Sequence, residues 1–370
     1  MLTTIIAFII ILGVLVFVHE AGHFLAAKKA GVQVDEFGLG FPPKIWGFKR
    51  GGTLYSLNWI PLGGFVRLKG EDGSDRDDPK SFAYKSFGQR GLILSAGVLM
   101  NILLAAVILS IGFMAGLPSA VDRQNQSGIV SDVGVQIVSL VGGSPADLAG
   151  LVIGDRILYL DQQEITSQAQ VTEYVQSHQN EEIIVRAQRS DKQVIEVKVK
   201  PEILAGFSDH GKTMGVTIVD VGLVKYGFFE SLYRGFAGAF KMLWKIILAF
   251  YTLLAGLITG QGLAMQISGP VGVAAMTGQV VDLGYRYVLQ FAAVLSLNLA
   301  VINFVPFPAL DGGRFLFLVI EKLRGKPVKQ AVENVIHNVG FGILMILIIV
   351  VTYNDVISHS GLIDKIKGFF

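Results

Sequence analysis

The sequence predicts a polytopic α-helical membrane protein. It has four transmembrane helices, a membrane-associated β-hairpin on the cytoplasmic side, and one small β-rich domain inserted between spans. Three observations predict this. Hydrophobic residues make up 52% of the 370 residues and charged residues only 16%, with a mean hydropathy of +0.55; soluble domains carry about 25% charge. Uncharged apolar runs alternate with cation-rich stretches. Residues 128–202 lose that character and alternate like strands. This composition excludes an ordinary cytosolic enzyme and a disordered chain. The net charge of +2 gives no footing for a nucleic-acid partner. There is no cysteine, so disulfides, thiolate ligands and a cysteine nucleophile are excluded, and any metal must be held by histidine and carboxylate.

The first apolar run is Met1–Val18, with no charge before His19, no positive n-region and no small-residue cleavage pattern. It reads as a first span over about 2–27 rather than a cleaved signal peptide. Lys28 and Lys29 stop it. Gly91–Leu117 is a second run of spanning length; about 287–308, behind Arg286, is a third, and about 339–353 a fourth. Residues 28–90 carry eleven Lys and Arg, and 314–329 carry five more. Both stretches are expected inside by the bias of such cations to the cytoplasm, so the N-terminus and the insert after Leu117 are expected outside. Residues 228–258 are apolar but hold Glu230, Arg234, Lys241 and Lys245. On a helical wheel these fall within about 60°, the polar stripe of a helix lying in the membrane interface. A fifth span over 246–258 is the rival reading, and its thirteen residues are short for a crossing.

In the insert, 134–140, 183–186 and 194–199 read as strands and 171–177 as a short helix, with 203–227 returning the chain to the membrane. The Gly-Leu-x-x-Gly-Asp-x-Ile pattern at 150–157 resembles a PDZ domain, a module that binds peptide by strand addition. The plainer reading is a β-rich spacer with turn glycines.

His19-Glu20-Ala21-Gly22-His23 carries the chemistry. On a helix, the two histidines at i and i+4 share one face and can share a metal. Glu20 stands beside them, placed to take a proton from an attacking water. Three ionisable groups within an apolar span are expensive and mark function; the alternative is a chance trio dipping into headgroups. A catalytic zinc usually has three protein ligands. The best third candidate is Asp311, after Pro306 and Pro308, although Asp-Gly-Gly at 311–313 also reads as a turn. His19 lies about 27 Å along the first span, and Asp311 a similar distance along the third. With four spans both run inward, so both sites land near the cytoplasmic face; a crossing at 246–258 would separate them. Glu321 and His337 are alternative ligands farther out in the charged loop.

A hairpin is expected over 53–69: Tyr55, Leu57 and Trp59 alternate with Ser56 and Asn58, Pro61–Gly64 turns, and Phe65–Leu68 returns. Its edge could pair with an unwound substrate, or the hairpin could merely close the site.

His-Glu-x-x-His in the first span, an outside PDZ-like domain, and Asn303-x-x-Pro-x-x-x-Leu-Asp311-Gly in the third resemble the site-2 protease family, in its bacterial RseP/RasP-like branch. Further matching segments are 37–43, 55–66, 268–273 and 354–355. The resemblance covers almost the whole chain. It implies an intramembrane zinc endopeptidase with one zinc per chain, held by His19, His23 and Asp311, and Glu20 as general base and acid. Asn303 matches an asparagine that helps hold the substrate or the developing oxyanion, and substrate handling falls to the hairpin residues Tyr55, Leu57 and Trp59. The resemblance implies single-pass transmembrane substrates such as anti-sigma factors, also remnant signal peptides, in the inner (plasma) membrane. Two departures stand out. Ala96-Gly-Val-Leu-Met-Asn101 has no proline where the family often has Gly-Pro, which leaves the role of Asn101 open, and the insert occurs once rather than twice. The rival class is a transporter or metal-handling protein using the same polar residues; a scaffold with a structural metal is a third.

Overall fold

The computed structural model describes residues 2–121, 128–204, 211–259 and 268–359. The chain opens with α1 (Leu2–Lys29), β1 (Val34–Arg50), β2 (Thr53–Leu68) and α2 (Phe87–Ala115). A β-rich stretch follows: β3 (Leu117–Ala120), β4 (Ile129–Leu140), α3 (Pro145–Leu148), β5 (Arg156–Leu160), β6 (Gln163–Glu164), α4 (Gln168–Ser177), β7 (Ile183–Gln188), β8 (Val194–Val199) and β9 (Val216–Lys225). Five helices end it: α5 (Phe228–Thr259), α6 (Pro270–Leu283), α7 (Tyr285–Phe304), α8 (Asp311–Arg324) and α9 (Gln330–His359). Two compact units result, one of residues 1–109, 235–279 and 291–370, the other of 110–234 and 280–290.

In the first unit the helices are apolar on the outside. Ile6, Ile10, Val14 and Phe17 on α1 and Phe341, Ile346, Leu347 and Ile349 on α9 are exposed. In water such a surface would drive association; against lipid it costs nothing. Where helices meet, small residues let the backbones approach. A Cβ on Gly22 would lie 2.5 Å from the carbonyl oxygen of Ala96, and Ala27, Ala105, Ala293 and Ala300 are buried. Among the described residues five helices are long and apolar enough to cross a membrane: α1, α2, α5, α7 and α9. The chain is a multi-pass membrane protein.

Several elements differ from expectation. The third apolar helix ends at Phe304, not 308, because Pro306 lacks an N–H and disfavours helix at the residue before it. Residues 311–324, expected as charged loop, form α8: Lys322 and Arg324 in its last turn are exposed while Gly312, Gly313 and Leu318 are buried, and Gly325 at φ +64° stops it. The short helix α6 was not foreseen. α5 is one continuous helix of 32 residues, about 48 Å long, so shortness is no argument against its crossing. α9 runs well beyond 339–353 at both ends, and residues 360–370 lie outside the described residues.

The hairpin is larger than 53–69 and paired differently. β1 pairs antiparallel with β2, and register breaks in both give Phe37 two partners, Val66 on one side and Tyr55 on the other. Phe48 then pairs with Tyr55, and Trp46 with Leu57. Tyr55 and Leu57 are thus flanked on both sides, and Phe65–Leu68 returns along 34–38 rather than along 55–59. Glycines and prolines in 37–43 hid the first strand, since proline normally disqualifies one. The ribbon is inside out: Leu57, Trp59, Trp46 and Ile45 are exposed, while Ser56 and Asn58 are buried. The buried pair is satisfied, Ser56 Oγ donating to Glu36 Oε1 at 2.7 Å and Asn58 Nδ2 to the Gly40 carbonyl at 3.0 Å.

The second unit holds a seven-stranded sheet in the order β3-β9-β4-β5-β7-β8, with β6 on β5. Its core is Val135, Ile137, Leu151, Ile157, Leu160, Ile183 and Val185, with Val171 and Val175 of α4 packed in. Residues 216–225, expected to lead back to the membrane, are instead the inner strand β9, between β3 and β4. Tyr287 Oη, at the start of α7, donates to Gln136 Oε1 at 2.9 Å within this unit.

Candidate metal centre

α1 presents His19 and His23 one turn apart, and both are buried. The carboxylate that meets them comes from α8. Asp311 is the first residue of that helix, and the two glycines after it explain how it gets there. A Cβ on Gly312 would lie 2.3 Å from the Val305 carbonyl oxygen, and one on Gly313 2.3 Å from that of Phe307. Only glycines let α8 begin tucked against the turn after α7, so Asp-Gly-Gly is a packing device rather than a free turn. Pro308 in that turn abuts Gly340 of α9, and His337 Nδ1 accepts from the Ala309 N–H at 2.9 Å.

Three ligand atoms converge. His19 Nε2 lies 3.0 Å from Asp311 Oδ2, His23 Nε2 lies 3.2 Å from the same oxygen, and the two Nε2 atoms are 3.2 Å apart. Among the described residues this is the only group of three such side chains that could hold a metal. Two imidazole nitrogens and a carboxylate at these distances repel unless something positive lies among them. The surroundings fit a cation. Gly97 of α2 faces the cluster, and a Cβ there would lie 2.3 Å from His23 Nε2 and 2.8 Å from His19 Nε2, so the missing side chain leaves the cradle free. His23 Nδ1–H donates to the Ile93 carbonyl at 2.8 Å, which turns the lone pair on Nε2 toward Asp311.

Glu20 is half-buried on the adjoining side of α1, with its Cγ 3.1 Å from where a Cβ on Gly64 would stand. Asn303, at the end of α7, brings Nδ2 to 3.4 Å from His19 Nε2. Glu321 and His337 are elsewhere: Glu321 pairs with Arg90 at 3.0 Å, and His337 supports the turn. Tyr55 is packed among Phe24, Phe37 and Phe48, while Leu57 and Trp59 point outward. Neither Gly97 nor the Ile93 carbonyl was foreseen from sequence. The one available signal was Asn101, a polar residue inside an apolar span and one turn from Gly97.

A glutamate beside two helix-borne histidines and a carboxylate, inside a bundle of lipid-length helices, defines a metallopeptidase of the membrane interior. Comparison with known proteins agrees. The model of Peptidase family M50 matches residues 7–347. "Zinc metalloprotease RasP" of Geobacillus kaustophilus is 31% identical, over 96% of this chain and 98% of its own. "Regulator of sigma-W protease RasP" of Bacillus subtilis is 31% identical, over 95% of this chain and 98% of its own. A solved PDZ domain of an SdrC-like protein from Listeria monocytogenes is similar over 23% of this chain at 20% identity, with a TM-score of 0.21. The chain belongs to Peptidase family M50, the site-2 proteases, and is an intramembrane metalloendopeptidase. A transporter reading finds no support among these relatives.

Proposed function

We propose that this protein binds one zinc ion through His19 Nε2, His23 Nε2 and Asp311 and cleaves the transmembrane segments of single-pass membrane proteins. The observation that carries it is the meeting of those three ligand atoms, from α1 and α8, beside Glu20. Bound there, zinc supplies Lewis acidity and a more acidic water. Glu20 takes the proton of the attacking water and delivers it to the amine as the C–N bond breaks. The Asn303 amide donates to the oxyanion that develops on the scissile carbonyl.

A transmembrane helix hides its carbonyls in its own hydrogen bonds, so substrate must be held extended. Tyr55 and Leu57 have no free edge to offer. Gly64–Leu68 does: its register partners lie on one side only, in 34–39, and Gly64 adjoins Glu20. The extended substrate pairs with this edge.

Contacts within each unit support four crossings, with α5 in the interface. Gly278 of α6 meets Thr4 at the start of α1, and Gly272 N donates to Asp355 near the end of α9 at 2.7 Å. His19 and Asn303 meet seventeen and eighteen residues into α1 and α7, which supports parallel helices. The start of α7 bonds to the sheet that follows α2, so an even number of crossings lies between. With the cation-rich segments inside, the PDZ-like insert (128–202, completed by β3 and β9) is outside and the metal site near the cytoplasmic face of the plasma membrane. The Bacillus relative is named as a regulator of sigma-W protease, which supports anti-sigma-like substrates.

The test is Glu20→Gln. The purified variant is expected to keep its zinc and to lose cleavage of a transmembrane reporter by at least about 100-fold, the lower range of general-base contributions. Near-normal turnover would remove Glu20 from the mechanism.

A further inference from the structure

Asn101 is fully buried in α2, and its Oδ1 has no hydrogen-bond partner. Its Nδ2 stands 3.3 Å from His19 Nδ1, on the side of the ring away from Asp311. The residue is also pinned: Ser296 Oγ of α7 donates to its backbone carbonyl at 2.8 Å. A buried asparagine in an apolar span, aimed at a histidine and at nothing else through its side chain, calls for a role.

We infer that Asn101 is the positioning residue that fixes the tautomer of His19. The inference rests on the zinc site proposed above. To ligate through Nε2, His19 must carry its proton on Nδ1. A proton there needs an acceptor. The two ends of an asparagine amide exchange by a half-turn of the last side-chain bond with no change of shape. One end faces His19, and the oxygen placed at the other end has no partner, so the histidine is the contact that decides which end faces it. With Nδ1 protonated, Oδ1 faces it and accepts. Were Nδ2 to donate instead, the ring proton would sit on Nε2, where it excludes the metal. His23 is handled the same way by the same helix, since its Nδ1–H donates to the Ile93 carbonyl. α2 therefore supplies both acceptors, a backbone carbonyl for one histidine and a side-chain carbonyl for the other. This gives the open position in 96–101 a function that needs no contact with substrate.

The experiment measures zinc affinity by chelator competition on the detergent-solubilised full chain. Asn101→Leu, similar in shape but without an acceptor, should bind zinc about 10–100-fold more weakly, the usual effect of removing a partner of a ligating histidine. Asn101→Asp keeps an acceptor oxygen and should stay within about threefold of wild type. Ser296→Ala, which frees the backbone of Asn101 but leaves its side chain, should also bind normally. Full affinity in Asn101→Leu overturns the inference, and so does equal loss in Asn101→Leu and Asn101→Asp, which would mean packing alone. A second readout needs no variant at Asn101: in the zinc-loaded wild type with 15N-labelled histidine, the His19 signal, assigned by its loss in His19→Ala, should show a protonated Nδ1. A bare or metal-bound Nδ1 overturns the inference. His23→Ala separates this from the underlying reading. Wild-type zinc affinity in that variant would sink the proposed site itself, whereas lost affinity there with full affinity in Asn101→Leu sinks only the role of Asn101.

Discussion

Gly97 has no side chain, and the metal cradle depends on that. A methyl group there would sit 2.3 Å from His23 Nε2, well inside van der Waals contact, and the rigid helix beneath His23 cannot retreat. Gly97→Ala should therefore lower zinc affinity by at least about 10–100-fold, comparable with losing an outer partner of a ligand. Gly91→Ala on the same helix is the control, because its nearest neighbour would be 3.4 Å away in ordinary contact. Chelator competition on both variants measures the difference; equal, undiminished affinity would show that the cradle has room to spare. The same logic applies to Gly312 and Gly313, where small size places Asp311 rather than the metal.

The β1–β2 ribbon shows why pairing matters more than alternation. Leu57 has partners on both sides, Leu39 and Trp46, so Leu57→Pro removes a ladder donor and orphans a carbonyl, a loss of about 1–3 kcal/mol. It should lower melting temperature, zinc retention and cleavage together. The edge segment behaves otherwise. Along Phe65, Val66 and Arg67, alternate N–H groups turn away from 34–39, and proline where the N–H faces outward costs the ribbon little. A proline scan of these positions should yield at least one variant with near-normal melting temperature and cleavage reduced by up to about tenfold, through the loss of a hydrogen bond worth about 0.5–1.5 kcal/mol. If every stable proline variant cleaves normally, substrate does not pair with this edge.

For the molecule as a whole, the four-crossing reading with α5 in the interface can be tested by labelling. The chain has no cysteine, so single cysteines report topology cleanly. Asp191→Cys in the β-rich unit and Asp282→Cys at the end of α6 are both at exposed positions, as is Lys326→Cys beyond α8. With α5 in the interface, the first two should label in intact cells with a membrane-impermeant maleimide and the third only after permeabilisation. Labelling of Asp191→Cys with protection of Asp282→Cys would mean that α5 crosses, and the parallel course of α1 and α7 would need another explanation.

What the sequence by itself determined was whatever depends on local spacing and composition. His19 and His23 share a face because a helix repeats every 3.6 residues, and long uncharged runs could only be membrane helices. Strands 183–186 and 194–199 were legible because their alternation matches a half-buried sheet. The meeting of Asp311 with the two histidines was legible only jointly, through the depth at which two parallel spans would bring it to them. Tertiary structure decided the rest, because the deciding contacts join residues far apart in the chain. Whether Tyr55–Trp59 is an edge depends on β1, whose prolines conceal it. β9 is recognisable only by lying between β3 and β4, and α8 only by burying Leu318. The roles of Gly97 and Asn101 exist only because α2 runs antiparallel across the histidine face of α1, a packing that small residues on both helices permit and that neither helix announces alone.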